Sequence, residues 1–260
     1  MKIIQLTDTH LAPQDVQIWG LDPRKHLDEA IAHVNRNHGD ADLCVITGDL
    51  THNGEEEAYA NLREGLAALA MPWHLIPGNH DDRETLRKVF PEQFPEESRF
   101  LQKVVETAEG NLVLMDTNDP GQASGRYCQE RLNWLQERLS AIGERDAYLF
   151  MHHPPFEVGI QPMDRMNLQD GQALAEVLDQ QTNVAHLFFG HLHRPISGVW
   201  NAIPYAFSRS TAAQLLLDFG PAEKPSLGSE KPGYAIIMIN RGLVVVHQVE
   251  INGDSPKPKP

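Results

Sequence analysis

Only two cysteines, Cys44 and Cys128, occur in 260 residues. That argues against a disulfide framework and fits a reducing compartment. Cys44 sits within an apolar run and reads as a small buried hydrophobe. No apolar run approaches the ~18 residues of a membrane span, so no membrane partner is expected. Basic residues are scarce: 22 Lys and Arg stand against 36 Asp and Glu, a formal charge of −14. Such a chain repels polyphosphate backbones, which argues against general nucleic-acid binding. The N-terminus enters an apolar run without the charged and apolar regions of a signal peptide, so the expected location is the cytoplasm. No internal repeat is visible. A chain of this length can bury a core without staples.

What the chain does have is five short polar clusters, each closing an apolar run. They are Asp8-Thr9-His10, Gly48-Asp49, Gly78-Asn79-His80-Asp81, His152-His153 and Gly190-His191-Leu192-His193. Collected in one place they supply Asp8, His10, Asp49, Asn79, His152, His191 and His193, seven oxygen or nitrogen donors. Seven donors are too many for one metal ion. They suit two ions that share a carboxylate and keep positions open for water and substrate.

The flanking sequence says why the clusters should converge. Ile3 to Thr7, Leu43 to Thr47, Trp73 to Pro77, Ala147 to Met151 and Val184 to Phe189 are short apolar runs rich in β-branched and aromatic residues. Such runs, ended by Gly or Pro, read as buried strands. In an open α/β sheet the ligand site lies beyond the carboxyl ends of the strands, where all five clusters fall. Gly48, Gly78 and Gly190 fit tight strand exits, where a Cβ would be in the way. Each cluster alone is ordinary: Gly-Asp is a common turn, and Asn tolerates left-handed backbone. The His191/His193 pair is the best single signal, because both rings point to one side of an extended segment. The joint occurrence, always after a strand, is what chance does not explain.

On these residues the chain resembles the calcineurin-like metallophosphoesterases, whose signature is D-x-H, G-D, G-N-H-D/E, H and G-H-x-H. The match runs from Asp8 to His193, and every signature residue is present. The wording around Gly48 to Gly54, Pro77 to Asp82 and Met151 to Pro155 is most similar to class III cyclic nucleotide phosphodiesterases and the glycerophosphodiesterase branch. The purple acid phosphatase branch has a Tyr three residues after the Gly-Asp carboxylate; here that residue is His52.

The resemblance implies a four-layer αββα sandwich with two mixed β-sheets, and the periodicity agrees. Leu27, Ile31 and Val34 follow Asp22-Pro23, a cap and first-turn pair. Tyr59, Leu62, Leu66 and Leu69 follow Glu55-Glu56-Glu57, acids that suit a helix N-terminus. Leu132, Leu135 and Leu139 make a third stripe, and Leu174, Val177 and Leu178 a fourth. Further strands are expected near Leu101 to Val105 and Leu112 to Met115. Tyr234 to Ile239 and Leu243 to Val249 read as a hairpin. The catalytic domain is expected over residues 1–251. Residues 156–169 and 201–232 lack regular periodicity and read as cap or lid segments. The tail, 252–260, is polar and proline-rich and reads as disordered. In the relatives the cap segments cover the site and often form a dimer contact, so a homodimer or higher homo-oligomer is implied.

By the same resemblance Asp8, His10, Asp49 and His193 hold one ion, and Asp49, Asn79, His152 and His191 the other. Carboxylate, amide oxygen and imidazole without thiolate suit Mn, Fe, Co or Zn. A hydroxide between two such ions would attack phosphorus in a small phosphodiester, such as a cyclic nucleotide or glycerophosphodiester. His80 is the signature histidine without a metal, and in relatives it reaches the phosphate or leaving group; charge stabilisation and proton donation are its two expected roles. Asp81 is a candidate to orient that ring or a plain turn carboxylate, and His153 is expected to support rather than ligate. Asn79, His80, Trp19 and Arg209 are the candidate substrate contacts. A phosphomonoesterase on the same fold and an inactive scaffold are the alternatives. A scaffold would have lost ligands such as Asp8 or His10, and none is lost.

Overall fold

The computed structural model describes residues 1–94 and 98–251. Among these residues eleven strands form two sheets. The first holds β1 (Lys2–Leu6), β2 (Leu43–Thr47), β3 (Trp73–Ile76), β10 (Gly233–Asn240) and β11 (Leu243–Glu250), in the order β11-β10-β1-β2-β3. The second holds β4 (Lys103–Thr107), β5 (Gly110–Leu114), β6 (Ala147–Met151), β7 (Val184–Phe189), β8 (Ser197–Trp200) and β9 (Ile203–Phe207), in the order β4-β5-β6-β7-β9-β8. Both sheets are mixed. β1, β2 and β3 run parallel, as do β5, β6, β7 and β9; β10, β11, β4 and β8 add antiparallel edges.

Strand residues alternate between two burial environments, so the central strands are mostly apolar on both faces. Ile3, Val45 and Ile76 from the first sheet meet Leu112, Tyr148, Phe150 and Phe188 from the second, between the sheets. Ile4, Cys44 and Ile46 face outward onto α1 (Pro23–His38) and α2 (Glu56–Leu66). Val113, Leu149 and Phe189 face outward onto α4 (Gln129–Ile142) and α6 (Gly171–Leu178). Two short helices, α3 (Arg83–Val89) and α5 (Gln161–Asp164), lie in connections beside the strand ends. The four-layer expectation is met. The helix starts are met too: Asp22 accepts from the Lys25 amide with Pro23 in the first turn, and Glu56 and Glu57 open α2.

Two expectations need correction. The segment 201–232 is not irregular throughout, because β9 occupies Ile203–Phe207 and pairs with β7. Pro204 hid it. The parallel ladder begins one residue later, at Leu187↔Tyr205, so the missing amide of Pro204 costs no bond to β7. Residues 156–169 are partly helical through α5. The tail 252–260 lies outside the described residues. Among the described residues no helix is long and apolar enough to cross a membrane, and both cysteines are free.

One buried histidine sets an acid limit. His186 on β7 stacks on Phe188, ring centroids 4.3 Å apart, and burial pushes its imidazole from 6.5 down to about 4. Because the folded value is lowered, its contribution is fully present above pH 6.5 and lost as pH falls towards 4. His186→Phe should therefore narrow the stability gap between pH 7 and pH 4.5 by roughly 1–3 kcal/mol. Denaturant melts of both proteins at the two pH values measure this; an unchanged gap would mean that the acid sensitivity arises elsewhere.

Candidate metal centre

The exits of β1 and β2 are tied together before any side chain is considered. Asp8, His10 and Leu11 donate backbone N–H bonds to the carbonyls of Gly48, Asp49 and Leu50, at 3.0, 2.9 and 3.0 Å. The Gln5 side chain crosses between the sheets, donating to Thr47 Oγ1 at 3.1 Å and the Phe189 carbonyl at 3.0 Å. Strand ends from both sheets are thereby fixed to one another. The expected glycines then do what steric argument requires. A Cβ on Gly78 would overlap the Asp49 amide and carboxylate, one on Gly190 would overlap Thr7, and one on Gly48 would overlap His152. Gly78→Ala should weaken Mn²⁺ binding about 10–100-fold, the effect of disturbing a ligand's support. Calorimetric titration measures it, and parental affinity would show that the strand exit can yield.

The donors converge as expected. Ligand atoms of Asp8, His10, Asp49 and His193 all lie within 4.8 Å of one another, and so do those of His152, His153 and His191. Asp49 stands between the groups. Its Oδ2 lies 3.7 Å from His10 Nε2, while its Oδ1 lies 3.3 Å from His152 Nε2. Asn79 Oδ1 is 3.2 Å from the same His152 nitrogen. Asp8 Oδ1 is 3.3 Å from His193 Nε2 and accepts the His191 amide at 3.2 Å. His10 Nε2 and His193 Nε2 approach to 3.1 Å.

Tautomers are set from behind. His152 Nδ1 donates to the Thr47 carbonyl at 2.8 Å and His193 Nδ1 to the Ala213 carbonyl at 2.7 Å. Each bond leaves Nε2 as the atom directed to the centre, the usual support of a ligating imidazole. His26 steadies the same stretch through the Ala212 carbonyl, 2.9 Å from its Nδ1. His191 Nε2 is buried without a hydrogen-bond partner in the protein. An orphaned imidazole nitrogen among carboxylates is what a cation would satisfy.

Charge tells the same story. Burial pushes His191 down to about 3, with His152 adding to the effect. Burial also lowers His10, against the pull of Asp49. Burial would lower His152 too, but the Asp49 and Asp8 carboxylates outweigh it and raise it to about 9. His193 is likewise raised by Asp8 despite burial. Without ions, the carboxylates favour the protonated forms of His152 and His193. Divalent ions would displace those protons as they bind.

His80 and Trp19 both lie against the His10 ring. His80 Nδ1 is 2.7 Å from the His52 carbonyl, its backbone amide donates to Asp49 Oδ1 at 3.0 Å, and its ring lies edge-on to His10 at 4.9 Å. The bond to the carbonyl leaves His80 Nε2 available. Trp19 meets His10 edge-on at 4.8 Å between ring centroids. It is held by a two-residue turn: Ile18 and Leu21 exchange backbone bonds of 2.9 Å, and Trp19 and Gly20 have φ of 54° and 77°. Those angles define a type I′ turn, which explains the glycine. His153 hydrogen-bonds Thr117 Oγ1 at 2.8 Å, while its ring lies 4.7 Å from that of His191.

Two candidates fall elsewhere. Arg209 pairs with Glu250 of β11 at 2.9 Å, packed against Gly233. Side chains alternate along extended chain: Ser210 turns in to the Asp8 carbonyl at 3.0 Å, so Arg209 turns out. Asp81 does not hold the His80 ring. It accepts the Leu50, Thr51 and Gly78 amides at 3.1, 3.1 and 2.8 Å and the Tyr59 hydroxyl at 3.0 Å, clamping the exits of β2 and β3 together.

Sequence reasoning missed three supports. His52 Nδ1 lies 3.3 Å from His10 Nδ1, and its ring stacks on His80. Its place three residues after Asp49 was the available signal. Asn118 donates to the Gly78 and Asp81 carbonyls at 2.6 and 3.0 Å. Asp116 binds Arg83 at 2.8 Å. Asp116 to Gly121 reads as turn chemistry in the sequence, and nothing there separates it from an ordinary loop. Met163, Met166, Leu215 and Leu227 from the proposed cap segments also border the centre.

The fold and donor set define a phosphoesterase with a site fit for two metal ions. The chain belongs to the calcineurin-like phosphoesterase family, which matches residues 1–195. It is 41% identical to the "Probable cyclic nucleotide phosphodiesterase" of Rhodopseudomonas palustris, over 98% of this chain and 94% of that one. It is 34% identical to the "Probable glycerophosphodiester phosphodiesterase" of Arcobacter nitrofigilis, over 89% of this chain and 86% of that one. A dimetal phosphatase from Danio rerio shares the fold, with a TM-score of 0.68 and 13% identity over 92% of each chain.

Proposed function

We propose that the chain hydrolyses small phosphodiesters at a two-metal centre, with Mn, Fe, Co or Zn as the ions. The observation that carries this is Asp49, whose two oxygens address His10 on one side and His152 on the other, at 3.7 and 3.3 Å. Asp8, His10, Asp49 and His193 would hold one ion, and Asp49, Asn79, His152 and His191 the second. Such a pair, when bound, supplies a hydroxide near neutral pH and offsets charge on the phosphoryl oxygens.

The protein's own groups do the rest. Asn79 and His80 follow β3 at the edge of the centre and orient the phosphoryl group. His80 presents Nε2 and, as general acid, gives a proton to the departing alkoxide. Trp19, Met163, Met166, Leu215 and Leu227 cover one side with apolar surface, which excludes water and strengthens the electrostatic contacts beneath. The names of the relatives support cyclic nucleotides and glycerophosphodiesters as substrate classes. The two free cysteines support a cytoplasmic enzyme.

Chelator treatment should abolish hydrolysis of bis(4-nitrophenyl) phosphate, and Mn²⁺ or Co²⁺ should restore it. The restored enzyme should favour this diester over 4-nitrophenyl phosphate, which has the same leaving group. Full activity in stringently metal-free protein would end the reading, and preference for the monoester would move it to a phosphomonoesterase.

A further inference from the structure

The metal centre opens on two cavities of opposite character. One, of about 200 Å³, is walled by Trp19, Met163, Met166 and Leu227 above His10 and Asp49. The other, of about 760 Å³, follows α3 and is walled by Arg83, Arg87, Lys88 and Arg99. Asn79 and His80 line both, so the point where phosphorus would react is the point where the cavities meet.

Four cations gather in one cleft of a chain whose formal charge is −14, beside three acids among the described residues. Of the described acids there, Asp81 is buried and turned onto backbone amides. Asp82 caps α3 by accepting the Thr85 amide at 2.8 Å. Glu84 faces solvent. The cations differ in how firmly they are held. Arg83 is fixed on buried Asp116 at 2.8 Å, and Arg87 reaches the Ser98 carbonyl. The Arg99–Glu130 pair is 3.7 Å long with side chains 79% and 60% exposed, and the Lys88–Glu56 pair is also exposed. Water and salt screen such pairs, so an incoming anion displaces Glu130 from Arg99 at little cost.

Resting on the diester reading, we propose that the substrate is a linear diester with two unlike arms. A ring-bearing or apolar arm fits the Trp19 cavity. The other arm carries a second anionic group, carboxylate or phosphate, and lies along α3, where Arg87 and Arg99 bind it. A 3′,5′-cyclic nucleotide ties both ester oxygens into one ring and leaves the basic cleft empty. A linear diester with an anionic arm fills both cavities.

Two 4-nitrophenyl diesters test this, one with a methyl second arm and one with a 2-phosphoethyl arm, alongside cyclic AMP. The metal-loaded enzyme should prefer the 2-phosphoethyl diester to the methyl diester in kcat/KM by about tenfold or more, the effect of one charge-assisted contact. Cyclic AMP should be the poorest of the three. In Arg87→Gln and Arg99→Gln the preference ratio should fall towards one, and added salt should erode it. A ratio near one in the parent enzyme, or a ratio that both variants leave intact, would overturn the subsite. The diester reading would then still stand on hydrolysis of the methyl diester, and no diester hydrolysis at all would sink that reading first. Arg99 is so exposed that Arg99→Gln decides the matter even if Arg87→Gln does not fold.

Discussion

Asp49→Asn is expected to reduce hydrolysis by ~10³-fold or more, as removal of several kcal/mol of metal-derived stabilisation would. Its two oxygens lie 3.7 Å from His10 and 3.3 Å from His152, so one exchange reaches both donor groups. An amide keeps one acceptor and loses the charge that two cations would share. Metal analysis should find at most one ion per chain, and its loss should track the loss of rate. A variant that bound two ions and turned over at the parental rate would show that the bridge is misassigned. The second-largest effect is expected at His80. His80→Ala should keep its metal and lose ~10²–10⁴-fold in rate on esters with alkoxide leaving groups. Nitrophenolate leaves without a proton, so the loss on nitrophenyl esters should be much smaller. An equal loss on both would assign His80 to charge stabilisation instead, and loss of metal would make it a ligand.

The metal centre was legible because each donor cluster follows a strand whose own residues announce it. Leu43 to Ile46 is apolar at every position, and the strand is buried on both faces through Thr47, the mark of a central strand of a covered sheet. The glycines at 48, 78 and 190 signal close approach, and the structure places side chains or backbone from other strands against each. Where sequence failed, geometry beyond local pattern decided. β9 was hidden because Pro204 breaks the strand signature while costing nothing on the β7 side. Arg209 was misjudged because the segment does approach the centre, but Ser210 rather than Arg209 faces it. Asp81 lay next to His80 in sequence, yet its carboxylate reaches back to the strand exits. The basic cleft was invisible because Arg83, Arg87 and Lys88 share one short helix while Arg99 arrives from a separate loop.

The backbone at the centre carries a consequence of another kind. Asp8, His10, Asp49, His191 and His193 all have positive φ, between 45° and 70°. Asp and His tolerate this region better than most residues, but glycine suits it best. Each therefore holds a buried polar side chain on backbone whose strain is ~1 kcal/mol or more. Stability and turnover are opposed at the same residues.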